Sequence, residues 1–136
     1  MGKIIRLLIL FTIMAMTYMS IEYLWRGYTF WEMGVVGGIV GLLIGGINNY
    51  IDWNMPLWKQ GLIGTGIATL VELIAGLLIN QDLTKWNYSQ LPFNFMGHIC
   101  LYFTVAWFFV ALFCIVWDDF LRWKLLGEDK PRYTMF

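Results

Sequence analysis

Four apolar runs, each about as long as a bilayer is thick, constrain this chain more than any other feature. A transmembrane helix needs about 17–25 mostly apolar residues, and the runs at roughly 4–25, 31–51, 57–80 and 95–117 meet that requirement. The connections between them are short, which predicts an all-α membrane protein: an antiparallel bundle of four transmembrane helices in a single domain, residues 1–136. The composition excludes a water-soluble monomer, because 60% of the residues are hydrophobic and 13% charged, against roughly 45–50% and 25% in soluble domains. Nine basic and nine acidic residues cancel, which leaves no basic surface for nucleic acid. The two cysteines form neither a disulfide framework nor a CxxC pair. No metal and no cofactor are expected.

Lys3 and Arg6 lead into the first run, as in a signal peptide. The run has no small-x-small cleavage site and is as long as the others, so it reads as a retained first helix. Seven basic residues (Lys3, Arg6, Lys59, Arg122, Lys124, Lys130, Arg132) then fall on the side of both termini, and two (Arg26, Lys85) on the other. By the positive-inside rule both termini lie in the cytoplasm, in a multi-pass protein of the cell (inner) membrane. Trp25, Trp31 and Trp86 mark one boundary, and Trp53, Trp58 and Trp117 the other, with Trp107 alone in mid-span. Segment 81–94 is the only long outer connection, expected as a short re-entrant or amphipathic piece. Pro92 and Asn94 offer start signals for the fourth helix. Asp118 and Arg122 have helical i,i+4 spacing, so that helix is expected to run a turn or two into the cytoplasmic tail, 118–136, and to end near Gly127.

Small residues mark the faces where helices meet in lipid. Gly37, Gly41 and Gly45 recur every fourth residue, with Gly34 and Gly38 as a second pair. This stripe suits close packing or, alternatively, a substrate path lined by bare backbone. Gly64, Ala68, Glu72, Gly76 and Asn80 share one face of the third run. Glu72 lies within about 5 Å of its midpoint at 1.5 Å per residue. An ionised carboxylate there costs several kcal/mol unless paired or hydrated, so Glu72 faces a bundle interior or a water-filled cavity. It either holds helices together by hydrogen bonds or serves as a proton, cation or substrate site.

Glu22 with Arg26, and Glu32, lie near the outer surface. With Glu72 they make three carboxylates around one cation, an outward polar vestibule. Asn48, Asn80, Trp86, Tyr88, Ser89, Asn94 and His98 complete the candidate substrate- or ion-binding residues. His98, the only histidine, falls in the first turns of the expected fourth helix, without spaced metal partners. It hydrogen-bonds a neighbouring helix or relays protons with Glu72. Cys100 and Cys114 are expected to be buried small residues. Ser89 lacks a nucleophile-elbow or S-x-x-K context; no catalytic residue is assigned, and no enzyme is expected.

The run Val71-Glu72, Gly76, Leu77, Asn80, Trp86, Tyr88-Ser89, Pro92-Phe93-Asn94, Gly97, Ile99-Cys100-Leu101 and Trp107 resembles the ABC-transporter type IV (CmpB-like) membrane proteins. Glu22-Tyr23-Leu24-Trp25-Arg26-Gly27 fits that family's first helix, so the resemblance covers about residues 15–117. This chain has Asn87 where the family pattern has Asp, one acidic group fewer in the outer loop. The resemblance implies a small multi-helix membrane protein associated with transport. No G-x-x-x-x-G-K-[ST] occurs, so ATP would have to act through a separate subunit.

Two functions follow. The first is a small transporter or permease subunit with Glu72 as its site, set in the lipid bilayer as a homo-oligomer or with a partner membrane or ATPase subunit, its small-molecule or ion substrate unspecified. The second is a non-transport scaffold, lipid-binding or accessory subunit of a larger membrane complex.

The basic asymmetry makes a topological prediction. A cysteine placed at Lys85 should react with a membrane-impermeant maleimide in right-side-out vesicles, and one at Lys130 only after permeabilisation. The reverse pattern would invert the topology.

Overall fold

A computed structural model describes residues 2–51, 54–131 and 133; Trp53 and Arg132 lie outside the described residues. The chain forms helices α1 (Lys3–Arg26), α2 (Trp31–Gly45), α3 (Leu57–Ile79) and α4 (Leu101–Leu126). A 3-10 turn (Ile47–Asn49) follows α2, and two short strands, β1 (Asn94–Phe95) and β2 (Ile99–Cys100), precede α4. Helices α1, α3 and α4 are long and apolar enough to cross a membrane. In α1 the hydroxyls of Thr12, Thr17 and Ser20 donate to carbonyls one turn back, at 2.8, 2.7 and 2.8 Å. These three polar groups need no partner from outside the helix.

The second run departs from expectation. Helix α2 has 15 residues, about 22 Å at 1.5 Å per residue, and falls short of a hydrocarbon core of about 30 Å. Gly45 and Gly46 stand at its end, and each interior glycine weakens a helix by about 1 kcal/mol relative to alanine. The backbone therefore tightens into the 3-10 turn instead of continuing to residue 51.

The same glycines set the register of the bundle. A Cβ placed on Gly34 would lie 2.5 Å from Met19 Sδ, on Gly37 2.5 Å from Tyr18 Cβ, and on Gly41 2.4 Å from Met14 Cβ. The numbers on α1 fall as those on α2 rise, so the two helices are antiparallel. On another side of α2, a Cβ on Gly45 would lie 2.6 Å from Asp118 Cβ, and Cys114 Sγ approaches the Gly41 carbonyl at 3.8 Å. Helices α2 and α4 therefore run parallel. Gly61 meets Leu112 and Gly64 meets Ala111, which lays α3 antiparallel to α4. Ile44, Ala68, Ala111 and Ile115 are fully buried where α2, α3 and α4 converge. Helix α1 sits to one side, packed on α2 and touching α4 only slightly.

The fourth helix begins six residues later than expected, at Leu101, and ends at Leu126. Gly127 closes it with φ +69, and the Glu128 N–H bonds the Arg122 carbonyl at 3.0 Å, as expected of a glycine stop. Before it, segment 81–100 forms no helix; its regular structure is the strand pair β1 and β2. β1 and β2 pair antiparallel, Asn94 opposite Cys100 and Phe95 opposite Ile99. Asn94 explains the failed helix start, because its Nδ2 donates to the Leu91 carbonyl at 2.8 Å and its Oδ1 accepts the Gly97 N–H at 3.1 Å. Its side chain thus serves the backbone as a turn, the usual competition between Asn and a helix. Phe93 and Met96 both adopt φ +57, a left-handed conformation costing roughly 1–2 kcal/mol for a residue with a Cβ.

Gly41→Leu tests the α1–α2 seam. Overpacking of this kind costs about 1–3 kcal/mol, so the variant should melt at lower temperature than the natural protein in mild detergent. An unchanged Tm would mean that Met14 does not rest on Gly41.

Candidate functional site

The face of α3 read from the sequence is the face that packs inward. Gly64, Ala68, Glu72, Ala75 and Gly76 are buried. Their small side chains let the indole of Trp107 and the hairpin approach the helix. Glu72 is 8% exposed, and its Oε2 accepts the Tyr88 hydroxyl at 3.2 Å and the Trp107 indole N–H at 3.4 Å. Its other oxygen, Oε1, is buried without a hydrogen-bond partner among the described residues. Tyr18 of α1 stacks on Trp107, with ring centroids 6.1 Å apart and planes within 6°. The site therefore draws one residue from α1, one from α3, one from the hairpin segment and one from α4.

His98 is placed by the hairpin, not by the first turns of α4. Its ring lies against the bare backbone of Gly76, where an added Cβ would be 2.5 Å from Nδ1. Its carbonyl accepts the Trp86 indole N–H at 2.9 Å. His98 Nδ1 is buried and unpartnered among the described residues. No hydrogen bond or ion pair among the described residues joins it to Glu72. Asn80, fully buried, closes the loop after α3: its Oδ1 accepts the Lys85 N–H at 2.8 Å and its Nδ2 donates to the Trp86 carbonyl at 2.7 Å.

Glu22 and Glu32 come as ion pairs. Glu22 pairs with Arg26 one turn on, and Arg26 also donates to the Lys85 carbonyl at 2.6 Å. Glu32 lies 3.9 Å from Lys85 Nζ, and both cations rest near the Phe30 ring. Lys85 is thus a second cation beside Arg26 and these carboxylates. Ser89 is exposed in the loop, where its N–H is taken by Asn87 Oδ1 at 2.9 Å. Asn94 serves the hairpin turn.

Asn48 lies elsewhere. Its Nδ2 donates to Asp119 Oδ2 at 3.1 Å, and the Tyr133 hydroxyl donates to the same oxygen at 2.7 Å. Asp118 accepts from Arg122 at 2.8 Å, and Glu128 lies 3.3 Å from Arg6 and 3.7 Å from Arg122. Asp119 is 12 residues beyond Trp107 on α4, about 18 Å along the helix, so this is a second polar cluster at the opposite end of the bundle. Among the described residues no three of His, Cys, Asp and Glu gather to hold a metal ion. Cys100 and Cys114 are buried free thiols.

Sequence reasoning did not pick out Tyr18, or Trp107 as a donor. The signal was present: an indole N–H in mid-span needs an acceptor, and Glu72 is the carboxylate within the neighbouring run. In comparisons with known proteins, a family model described as "Putative ABC-transporter type IV" matches residues 9–128. No solved structure matches the chain.

Tyr88→Phe removes one of the two donors to Glu72 and leaves the ring stacked on Phe103, whose centroid is 4.6 Å away. Hydrogen bonds inside membrane proteins average about 0.6 kcal/mol and reach about 1.7. A small fall in Tm with a shift in tryptophan emission is expected. If neither moves, the Tyr88–Glu72 bond is not formed in detergent.

Proposed function

We propose, because the chain belongs to the ABC-transporter type IV family, that it is a small transporter or permease subunit with Glu72 as its proton, cation or substrate site. The observation that carries this reading is the buried Glu72 carboxylate, half of which has no partner among the described residues. Glu22, Glu32 and Asp118 each keep one unpartnered oxygen too, but beside a cation, whereas Glu72 has no ion pair among the described residues. The paired charges Glu22–Arg26 and Glu32–Lys85 line the approach from the outer side.

In this reading α2 and its 3-10 turn together make the fourth crossing, about 28 Å long, and both termini face the cytoplasm. Four short helices leave little room for a path inside one subunit, so the working unit is a homo-oligomer or a complex with a membrane or ATPase partner. The second reading, a scaffold, lipid-binding or accessory subunit, draws on the same residues. Tyr88 and Trp107 hold Glu72 as a staple between α3, α4 and the hairpin segment.

Glu72→Gln separates the two, since Gln keeps the shape and loses the ionisation. In proteoliposomes loaded with a pH-sensitive dye, the natural chain should show pH-dependent proton or cation-coupled flux. The Gln variant should lack that flux while keeping its Tm. Flux of equal size and pH dependence in the variant would remove Glu72 from the mechanism. An altered Tm with no flux in either protein would favour the scaffold.

A further inference from the structure

From residue 86 to residue 117 the chain has no Asp, Glu, Lys or Arg, although 86–100 belongs to no long helix. Within α4 the uncharged stretch 101–117 covers about 25 Å, some 5 Å less than a hydrocarbon core. The hairpin adjoins that end and exposes Phe93 (81%), Phe95 (54%) and Met96 (57%). Leu101 and Tyr102 continue the exposed apolar surface onto α4. Phe93 and Met96 both lie on the left-handed backbone of this turn. A contiguous apolar surface exposed in this way marks a site of contact with a membrane or another apolar partner.

The backbone of this segment is largely bonded to itself. Besides the strand pairing, Tyr88 N–H donates to the Gly97 carbonyl at 2.9 Å, His98 N–H to Phe95 at 3.0 Å and Leu101 N–H to Phe93 at 3.3 Å. Backbone bonded in this way can lie at the membrane interface, with its apolar side chains alone reaching the hydrocarbon. Between hairpin and α4 an open cavity of about 480 Å³ is lined by Pro92, Phe93, Leu101, Tyr102, Val105 and Ala106. That size lies within the range of small-ligand sites, about 300–1,000 Å³, and its lining carries no charge.

We propose that the hairpin and the first turns of α4 form a lipid-binding surface. Phe93, Phe95 and Met96 sit in the adjoining leaflet, and the cavity takes the acyl chain of one bilayer lipid. The hairpin segment also carries Tyr88 to Glu72 and His98 to Gly76, so the bound lipid braces the backbone that presents them. The proposal does not depend on transport, and Glu72→Gln leaves it intact.

Two measurements test it. Nitroxide labels on Phe93→Cys and Met96→Cys, in phosphatidylcholine vesicles, report collisions with oxygen and with a water-soluble nickel chelate; the unsubstituted protein shows whether the buried natural thiols react. Both labels should favour oxygen, while one on Ser89→Cys favours nickel. Nickel dominance at both hairpin positions would place the tip in water. Protection from both reagents would mean that protein covers it, and either result overturns the proposal. Native mass spectrometry in mild detergent should then find one phosphatidylcholine retained by the natural chain and none by Ala106→Trp, which fills the cavity. Equal retention would overturn the cavity as the lipid's seat.

Discussion

In a medium where lipid tails are as apolar as leucine, helices associate by touching closely, and α2 supplies the surface that close contact requires. Gly34, Gly37 and Gly41 meet side chains of α1 at distances no Cβ would permit, and Gly45 does the same for Asp118 on α4. The shortness of α2 follows from the same residues, since a helix rich in glycine loses intrinsic stability with each one. Its stability comes from its neighbours, and theirs partly from it. Helix α1 depends on this arrangement most, because its main partner is α2.

Once the helices are drawn together, polar groups are forced to find one another. Glu72 cannot reach headgroups from the middle of α3, so Tyr88 and Trp107 come to it. Asp118 and Asp119 enter the bundle at the other end because Gly45 leaves room for one and Asn48 meets the other. Small residues on one helix therefore decide where charged residues on another can be buried.

The four apolar runs, the inward face of α3, the end of α4 at Gly127 and the packing role of the glycine stripe were legible in the sequence. Each is a local pattern of residue type and spacing. The 3-10 turn after α2 was not, because hydropathy does not distinguish an α-helix from a tighter turn of the same apolar residues. The hairpin was missed for a different reason. Asn94 and Pro92 are helix-start signals by type, and only the bonds from Asn94 to Leu91 and Gly97 reveal that its side chain is already committed to a turn. His98 moved with it, from a helix face to the tip of a loop pressed on Gly76. The pairing of Asn48 with Asp119 joins residues 71 apart, and no spacing rule reaches that far.

The separation of the two polar clusters has an electrical consequence. Between Glu72 and Asp119 the bundle is filled by Ile44, Ala68, Ala111 and Ile115, each with no exposed surface. In an energised membrane most of the voltage drop falls across such a poorly polarisable layer, because polar and hydrated regions screen the field. A unit charge carried from one cluster to the other would feel much of the transmembrane potential, whose full value amounts to about 2.3 kcal/mol per 100 mV. The two polar clusters would therefore behave as the plates of a capacitor about 18 Å apart, with the apolar layer between them as its insulator.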